Sequence, residues 1–430
     1  MKVELKKSVF KDGTVNVSGA KNSMLKLLPA SLLFEQCVSF ENMPIKLVDF
    51  NSNIELMKAI GIDVSIKDSA VEIRQCNNIN INKIVNFGNF RTTYLYVPFQ
   101  LKKFGSALIP YPNGCSFTTR GIDFHIDIWK KFGCNVELND DGILVKSSGT
   151  ISLLQDNIKL PLKSIGATDT AILMSAISSN EHITIENAYI SPELDDIKIL
   201  LQFLDIELEY YDNSTIVVKK NQNIKTSNEV KVVVQSDRIE VVSWICYAMI
   251  TKSNLEIKNI NLSHIESVLF YFRQLGLSFK IENNTLFINM KSSNISNIDI
   301  IGGVYPYIVT DMIPILCSAA LTSSGEFTIL DYRYPDRTQY IDQFKIGGIK
   351  FSTDKYNNII SFGKQKIKDG VYTCPDLRGG MALLLQSLQT EGHITLTNFE
   401  QVLRGYDGLL DKLMKLDVNI RIIDENISFK

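Results

Sequence analysis

The 430-residue chain carries seven cysteines without a Cys-x-x-Cys pair, and its four histidines (His125, His182, His264 and His393) match no zinc-ligand spacing. The common structural zinc motifs are therefore excluded, and no metal is expected. No apolar run approaches the length of a bilayer span, so a membrane is not an expected partner. A formal net charge of −2 supplies no field for nucleic acid or an anionic lipid surface. Any anion must instead be held by local clusters of Lys and Arg. There is no G-x-G-x-x-G fingerprint; the glycine pairs in GGIKF and LRGGM read as turns, and no cofactor is expected. The opening MKVELKKSVF is short, charged and alternating, a strand rather than a signal peptide. With an odd cysteine count this points to a reducing cytosol, most thiols acting as small core residues.

What is present is a sixfold repeat. A small-residue-rich helical stretch, a turn, a short strand, a second helical stretch and another strand recur with a period of roughly seventy residues. The first half of the unit reads LLPASLLFEQCVSFENM, YVPFQLKKFGSALIPYP, ILMSAISSNEHITIENA, WICYAMITKSNLEIKNI, ILCSAALTSSGEFTILDY and LLLQSLQTEGHITLTNF. Three copies precede about residue 225 and three follow, which predicts two α/β domains of matched architecture. The polar stretch DNSTIVVKKNQNIKTSNEVKVVV is the candidate linker. Helices apolar nearly all round, such as TDTAILMSAIS and IPILCSAALTSSG, are expected to be buried. Amphipathic ones such as IELMKAIG and YIDQFKIGG are expected outside, with sheets between the two sets.

Just before the first helix of each copy stand Lys21-Asn22, Arg91, Ser164 and Gly166, Asp237-Arg238, Thr310-Asp311, and Asp376 with Arg378. Helix N-termini carry unpaired N–H groups and the positive dipole end, so several aimed at one cleft make an anion site. Arg91, Arg120, Arg238, Arg337, Arg378 and Arg404 all fall near turn-to-helix junctions, where guanidinium forks could converge on phosphate or carboxylate. Each alone could equally cap a helix or pair with a neighbouring acid. Cys115 lies in the loop PYPNGCSFTTR beside Arg120, where a thiol is more acidic than in a core; the other six cysteines read as core or indifferent. Asp311 reads as a helix cap or as a general base held at the cleft. Asp49, Asp123 and Asp237 read as caps, and His125 as a packed residue.

SGAKN, FRTTYLY, the NGC loop ending in Arg-x-x-Asp-x-His, SIGAT, ENA with PE, SDRIE, TDM, DR, DLRGG and RGYD occur in an order that resembles the enolpyruvyl transferases. The set is most similar to the branch whose acceptor is UDP-N-acetylglucosamine, at the first committed step of peptidoglycan precursor synthesis. The resemblance implies two domains, residues 22–228 and residues 1–21 with 229–430. Each would be an inside-out α/β barrel of three β/α units, helices within and sheets outside. It implies two small-molecule substrates, phosphoenolpyruvate and a uridine-containing acceptor. Lys21, Asn22, Arg120 and Arg404 would hold the phosphate and the acceptor sugar, and Arg337 and Arg378 the carboxylate and cleft acids. Cys115 would donate a proton to the enol methylene and Asp311 would take one from the attacking hydroxyl. Arg91, Arg120, Gly121, Ile122, Asp123, Phe124, Ser164 and Gly166 would bind the uridine and diphosphate.

Four departures fall on the acceptor side. The loop runs Pro112-Asn113-Gly114-Cys115 and Arg120-Gly121-Ile122-Asp123. A cleft lysine is missing at Leu47 or Val48, with only Lys46 nearby. The lysine ahead of Ser164 is displaced to Lys163, and RYPDR replaces the usual residues before Arg337. A different uridine nucleoside or nucleotide therefore stays open as the acceptor.

Overall fold

The structure, a computed structural model, describes residues 1–87, 91–111, 121–221, 229–356 and 358–424. Its helices are α1 (Lys21–Ser31), α2 (Val48–Ala59), α3 (Val97–Phe104), α4 (Asp123–Lys131), α5 (Ile165–Ile177), α6 (Leu194–Gln202), α7 (Arg238–Thr251), α8 (Leu262–Gln274), α9 (Ile313–Ala320), α10 (Gln339–Ile346), α11 (Leu377–Ser387), α12 (Glu400–Leu403) and α13 (Leu409–Lys415). The first helices of most repeats are largely apolar and are buried accordingly, whereas α3 exposes Lys102, Lys103 and Phe104 at its end. Every residue of α9 and α11 is buried, and so is all of α7 except its last residue. Small side chains let these helices approach closely: the Ser318 hydroxyl on α9 donates to the Ala382 carbonyl on α11 at 2.9 Å, and Gln386 returns a bond to the Ser318 carbonyl at 2.7 Å.

The second helices each bury one face, as Tyr340, Ile341 and Phe344 show in α10. They are not screened from the first helices by sheet, as the sequence suggested. Instead α4 packs directly on α5, α6 on α1, and α10 on α11. An amphipathic stripe of three or four residues is too narrow to need a sheet as partner, and a neighbouring helix covers it.

Six small sheets surround these helices, five of them mixed among the described residues. The apolar core falls into two clusters, one formed by residues between Met24 and Val234, the other by Val3–Val17 together with residues from Ile239 onward. Two strands cross over. Gly13–Asn16 runs parallel to Leu255–Lys258, whereas Val230–Val233 runs parallel to Val38–Glu41. The strand Lys2–Lys6 sits between His393–Thr397 and Ile420–Asp424. Within the expected linker, Thr215–Lys220 is a strand paired with its neighbours on both sides.

In four of the six repeats an asparagine ties such a parallel pair to the helix that follows. Asn42, Asn187, Asn259 and Asn398 all adopt left-handed backbone with φ of 54–60°, a conformation Asn tolerates better than most residues. Their side-chain amides donate to the carbonyls of Val234, Leu160, Val17 and Cys374 at 2.7–2.8 Å. Those carbonyls end the strands leading into α7, α5, α1 and α11, so each asparagine fixes where an inner helix starts. At the crossover Asn259 also donates to Asn42 at 3.3 Å, and the two connecting segments lie side by side through the Gly19–Ser236 bridge. Gly19 is required there, because a Cβ would stand 1.9 Å from the Asn42 carbonyl oxygen.

Candidate active site

The starts of the inner helices meet at one cavity of about 260 Å³. Lys21 and Asn22 of α1, Ser164 to Gly166 at α5, Arg238 of α7, Thr310 and Asp311 ahead of α9, and Leu377 of α11 all line it. Thr92 and Tyr94, from the 3-10 turn Arg91–Tyr96 that leads into α3, complete the ring. All six repeats thus contribute, three from each half. Seven basic side chains line the cavity against three carboxylates, which makes it locally cationic in a chain of net charge −2.

Asp49, in the first turn of α2, joins the halves. Its oxygens accept from Lys21 Nζ at 2.8 Å and from Arg404 Nε at 2.9 Å. Burial pushes the Asp49 carboxyl up, but the two cations outweigh it and hold the group below the ordinary range. One carboxylate thus anchors two cations and leaves them a net positive charge. Arg404 closes α12 rather than opening a helix, and it also donates to Gln401 at 3.1 Å.

On the opposite wall Asp311 is held from two sides, by Arg337 Nη1 at 2.8 Å and Arg378 Nε at 3.1 Å. Burial alone would raise its carboxyl; Arg378 and Arg337 instead drive it far below the usual range. Asp311 does not cap α9, contrary to one sequence expectation. The N-cap position belongs to Met312 and has no side-chain bond, since both Asp311 oxygens face guanidiniums. The capping acids are Asp376, which accepts from the backbone of Arg378 and Gly379, and Asp237, which accepts from Ile239 and Glu240. Asp376 also receives Arg337 Nη2 at 3.0 Å. Arg378 lies wholly buried behind Asp311, with its guanidinium over the Tyr406 ring at 5.1 Å, and does not line the cavity.

Ser164 caps α5 by accepting from Ala167 N at 3.4 Å. At Gly166 a Cβ would come within 2.5 Å of the Tyr94 hydroxyl, so the glycine leaves room for that side chain at the start of α5. Gly121 and Ile122 lead into α4, whose first two residues are Asp123 and Phe124; none of the four lines the cavity. Asp123 makes no side-chain cap there. His125 is packed, as expected, with its ring 3.8 Å from that of Tyr94 and Nδ1 2.8 Å from the Thr170 hydroxyl; it nevertheless forms part of the cavity wall. Cys115 and Arg120 lie outside the described residues, and the side chain of Arg91 is not described. Of the other six cysteines four are buried, but Cys76 is exposed and Cys37 half-buried.

Two cavity residues that the sequence did not single out, Lys26 and Asp169, form a buried pair at 2.8 Å. Arg238, an expected site residue, pairs with Glu193 at 2.8 Å. Burial pushes Glu193 up, but Arg238 prevails and holds it at about 2. Lys163, Tyr189, Arg333 and Tyr334 also face the cavity. A lysine in mid-helix looks solvated in sequence; that Asp169 arrives from another repeat is a tertiary fact. Lys46, by contrast, pairs with Asp411 on the surface and stays out of the cavity.

A sequence model of EPSP synthase (3-phosphoshikimate 1-carboxyvinyltransferase) matches residues 6–413. The chain therefore belongs to that family of enolpyruvyl transferases and is a transferase. Its relatives include a UDP-N-acetylglucosamine 1-carboxyvinyltransferase of Streptococcus agalactiae, 27% identical over 96% of this chain and 97% of the relative. Another of that name, from Prochlorococcus marinus, is 29% identical over 95% of each chain. The solved enolpyruvyl transferase NikO of Streptomyces tendae shares the fold with a TM-score of 0.82, at 20% identity and 98% coverage of both chains. EPSP synthase of Acinetobacter baumannii superposes with a TM-score of 0.75, at 14% identity over 99% of this chain and 100% of its own. No described helix is long and apolar enough to cross a membrane.

Proposed function

We propose that this transferase moves the enolpyruvyl group of phosphoenolpyruvate to a hydroxyl of UDP-N-acetylglucosamine and releases phosphate, the step that commits a nucleotide sugar to peptidoglycan. The observation that carries the reading is the convergence of five helix starts, a 3-10 turn and seven basic side chains on a cavity that also holds the braced carboxylate of Asp311. Such a site stabilises an intermediate bearing both a phosphate and a carboxylate without reorganising. Lys21 and Arg404, anchored on Asp49, take the phosphate with Arg120, and Asn22 takes the acceptor sugar. Arg337 turns from Asp311 to the phosphoenolpyruvate carboxylate, while Arg378 stays behind Asp311. Losing one of two guanidiniums makes the Asp311 carboxylate more basic just as the acceptor hydroxyl must give up its proton. The hydroxyl oxygen bonds to the enol carbon while Cys115 protonates the methylene. Loss of a methyl proton and of phosphate then restores the double bond.

Arg91, Gly121 to Phe124, Ser164 and Gly166 form the uridine and diphosphate side. Residues 22–228 and residues 1–21 with 229–430 act as two bodies that complete the site on closing, in keeping with the two separate cores. The fully buried inner helices support the inside-out barrel description of each body.

A second acceptor, another uridine nucleoside or nucleotide, is favoured by one observation: where the resemblance calls for a cleft lysine, Leu47 is buried and Lys46 is engaged with Asp411. Phosphate release from phosphoenolpyruvate, assayed with UDP-N-acetylglucosamine, UDP-glucose, UDP, UMP, uridine and shikimate 3-phosphate, separates the readings. Turnover with UDP-N-acetylglucosamine alone supports the first. Turnover only with a simpler uridine compound supports the second, and turnover only with shikimate 3-phosphate defeats both.

A further inference from the structure

Most cations of the cavity are already matched to acids. Lys21 and Arg404 share Asp49, Lys26 holds Asp169, Arg238 holds Glu193, and Arg337 spans Asp311 and Asp376. Two cavity-lining cations have no carboxylate within salt-bridge distance among the described residues. Lys163, just ahead of α5, donates only to the Asn213 carbonyl at 3.1 Å. Arg333, in the other half, lies over the Tyr334 ring at 5.2 Å. Lys163 is the displaced counterpart of a lysine that the resemblance calls for; Arg333 belongs to the RYPDR segment, for which the resemblance offers no counterpart.

The segment carrying Arg333 is held in place. The backbone N–H groups of Arg333 and Tyr334 donate to Asp331 Oδ1 at 2.9 and 3.1 Å, and Asp331 Oδ2 accepts from the Thr310 hydroxyl at 2.5 Å. Thr310 adjoins Asp311, so the backbone that carries Arg333 is tied close to the residue proposed to face the reacting hydroxyl. A half-buried, ring-stacked guanidinium with no acid beside it loses little rotamer freedom on meeting an anion and has no internal pair to break. The interior cations on Asp49 and Asp311 suit the anion that reacts. An anion meeting Arg333 must therefore belong to the other substrate.

Resting on the proposed transfer reaction, we propose that Arg333 is a specificity-determining residue of this chain that recognises a phosphate of the acceptor, from the half opposite Lys163. The probes are uridine, UDP and phosphoenolpyruvate, titrated calorimetrically into the intact chain and into Arg333→Gln and Arg333→Lys. The wild type should bind UDP at least tenfold more tightly than uridine. Arg333→Gln should weaken UDP by roughly tenfold to a hundredfold, with uridine and phosphoenolpyruvate unchanged, and Arg333→Lys should restore part of the loss. Unchanged UDP affinity in Arg333→Gln overturns the assignment. So does equal loss of uridine and UDP, which marks a structural role, or a wild type that does not prefer UDP to uridine. Phosphate release is scored separately: if no acceptor turns over while Arg333 still controls UDP affinity, the transfer reading fails and the subsite stands.

Discussion

Asp169 and Asp311 look into the same cavity from opposite halves, both beside buried cations, and their carboxyls shift in opposite directions. For Asp169 burial dominates and raises the pKa; one ammonium, Lys26, reaches one oxygen and does not offset it. For Asp311 burial works the same way, but Arg378 and Arg337 address both oxygens and reverse it. Number and geometry of partners, rather than depth, decide which carboxylate is reliably charged. The wall for which a base is proposed is built of guanidiniums held in fixed directions. The wall that only has to bury a lysine makes do with a single contact.

The largest break in this comparison should come from Asp311→Asn. Turnover with whichever acceptor the wild type uses should fall roughly a hundredfold or more. Because Asp311 braces two guanidiniums instead of capping a helix, unfolding free energy should also fall by about 3 kcal/mol. Near-normal turnover would place the base elsewhere; unchanged stability in urea would show that Asp376 and Tyr406 suffice for the arginines.

Lys26→Met alone should cost about 3 kcal/mol by leaving Asp169 buried without its cation, whereas Lys26→Met with Asp169→Leu should lie within about 1 kcal/mol of the wild type. A double variant as unstable as the single would mean that the pair is worth more than its desolvation, and the contrast with Asp311 would narrow.

The smallest effect concerns acid. Glu193 is held at about 2 against an ordinary 4.5. A depressed carboxyl stabilises the fold fully above its unfolded pKa, and that contribution disappears as pH falls from about 4.5 through about 2. It amounts to about 3 kcal/mol when complete, of which only the upper part is lost by pH 3. Urea unfolding between pH 6 and pH 3 should therefore show a flatter acid limb in Glu193→Gln than in the wild type. Parallel limbs would remove Arg238 from the causes of acid sensitivity.

Much of this was legible in the chain. The repeat located the helix starts, and small-residue composition marked the helices that are buried. What sequence could not give is which distant residue answers which charge. Thr310-Asp311 before an apolar helix looks like a cap in one dimension, and only the approach of Arg337 from the same repeat and Arg378 from the next shows otherwise. The pairing of Lys26 with Asp169 was hidden for the same reason. The asparagines at 42, 187, 259 and 398 were a readable signal that went unused: one Asn at the same place in four repeats, each with left-handed backbone.

The position of Lys2–Lys6 between His393–Thr397 and Ile420–Asp424 sets an order of events during synthesis. This strand is made long before either of its partners. At ribosomal rates this strand waits roughly tens of seconds, unpaired, while the Met24–Val234 core can assemble. Its alternation of exposed charge with only Val3 and Leu5 turned inward suits that wait, because Lys2, Glu4 and Lys6 keep a lone strand soluble. A nascent chain stalled before residue 393 should therefore hold one finished half and a loose amino-terminal strand.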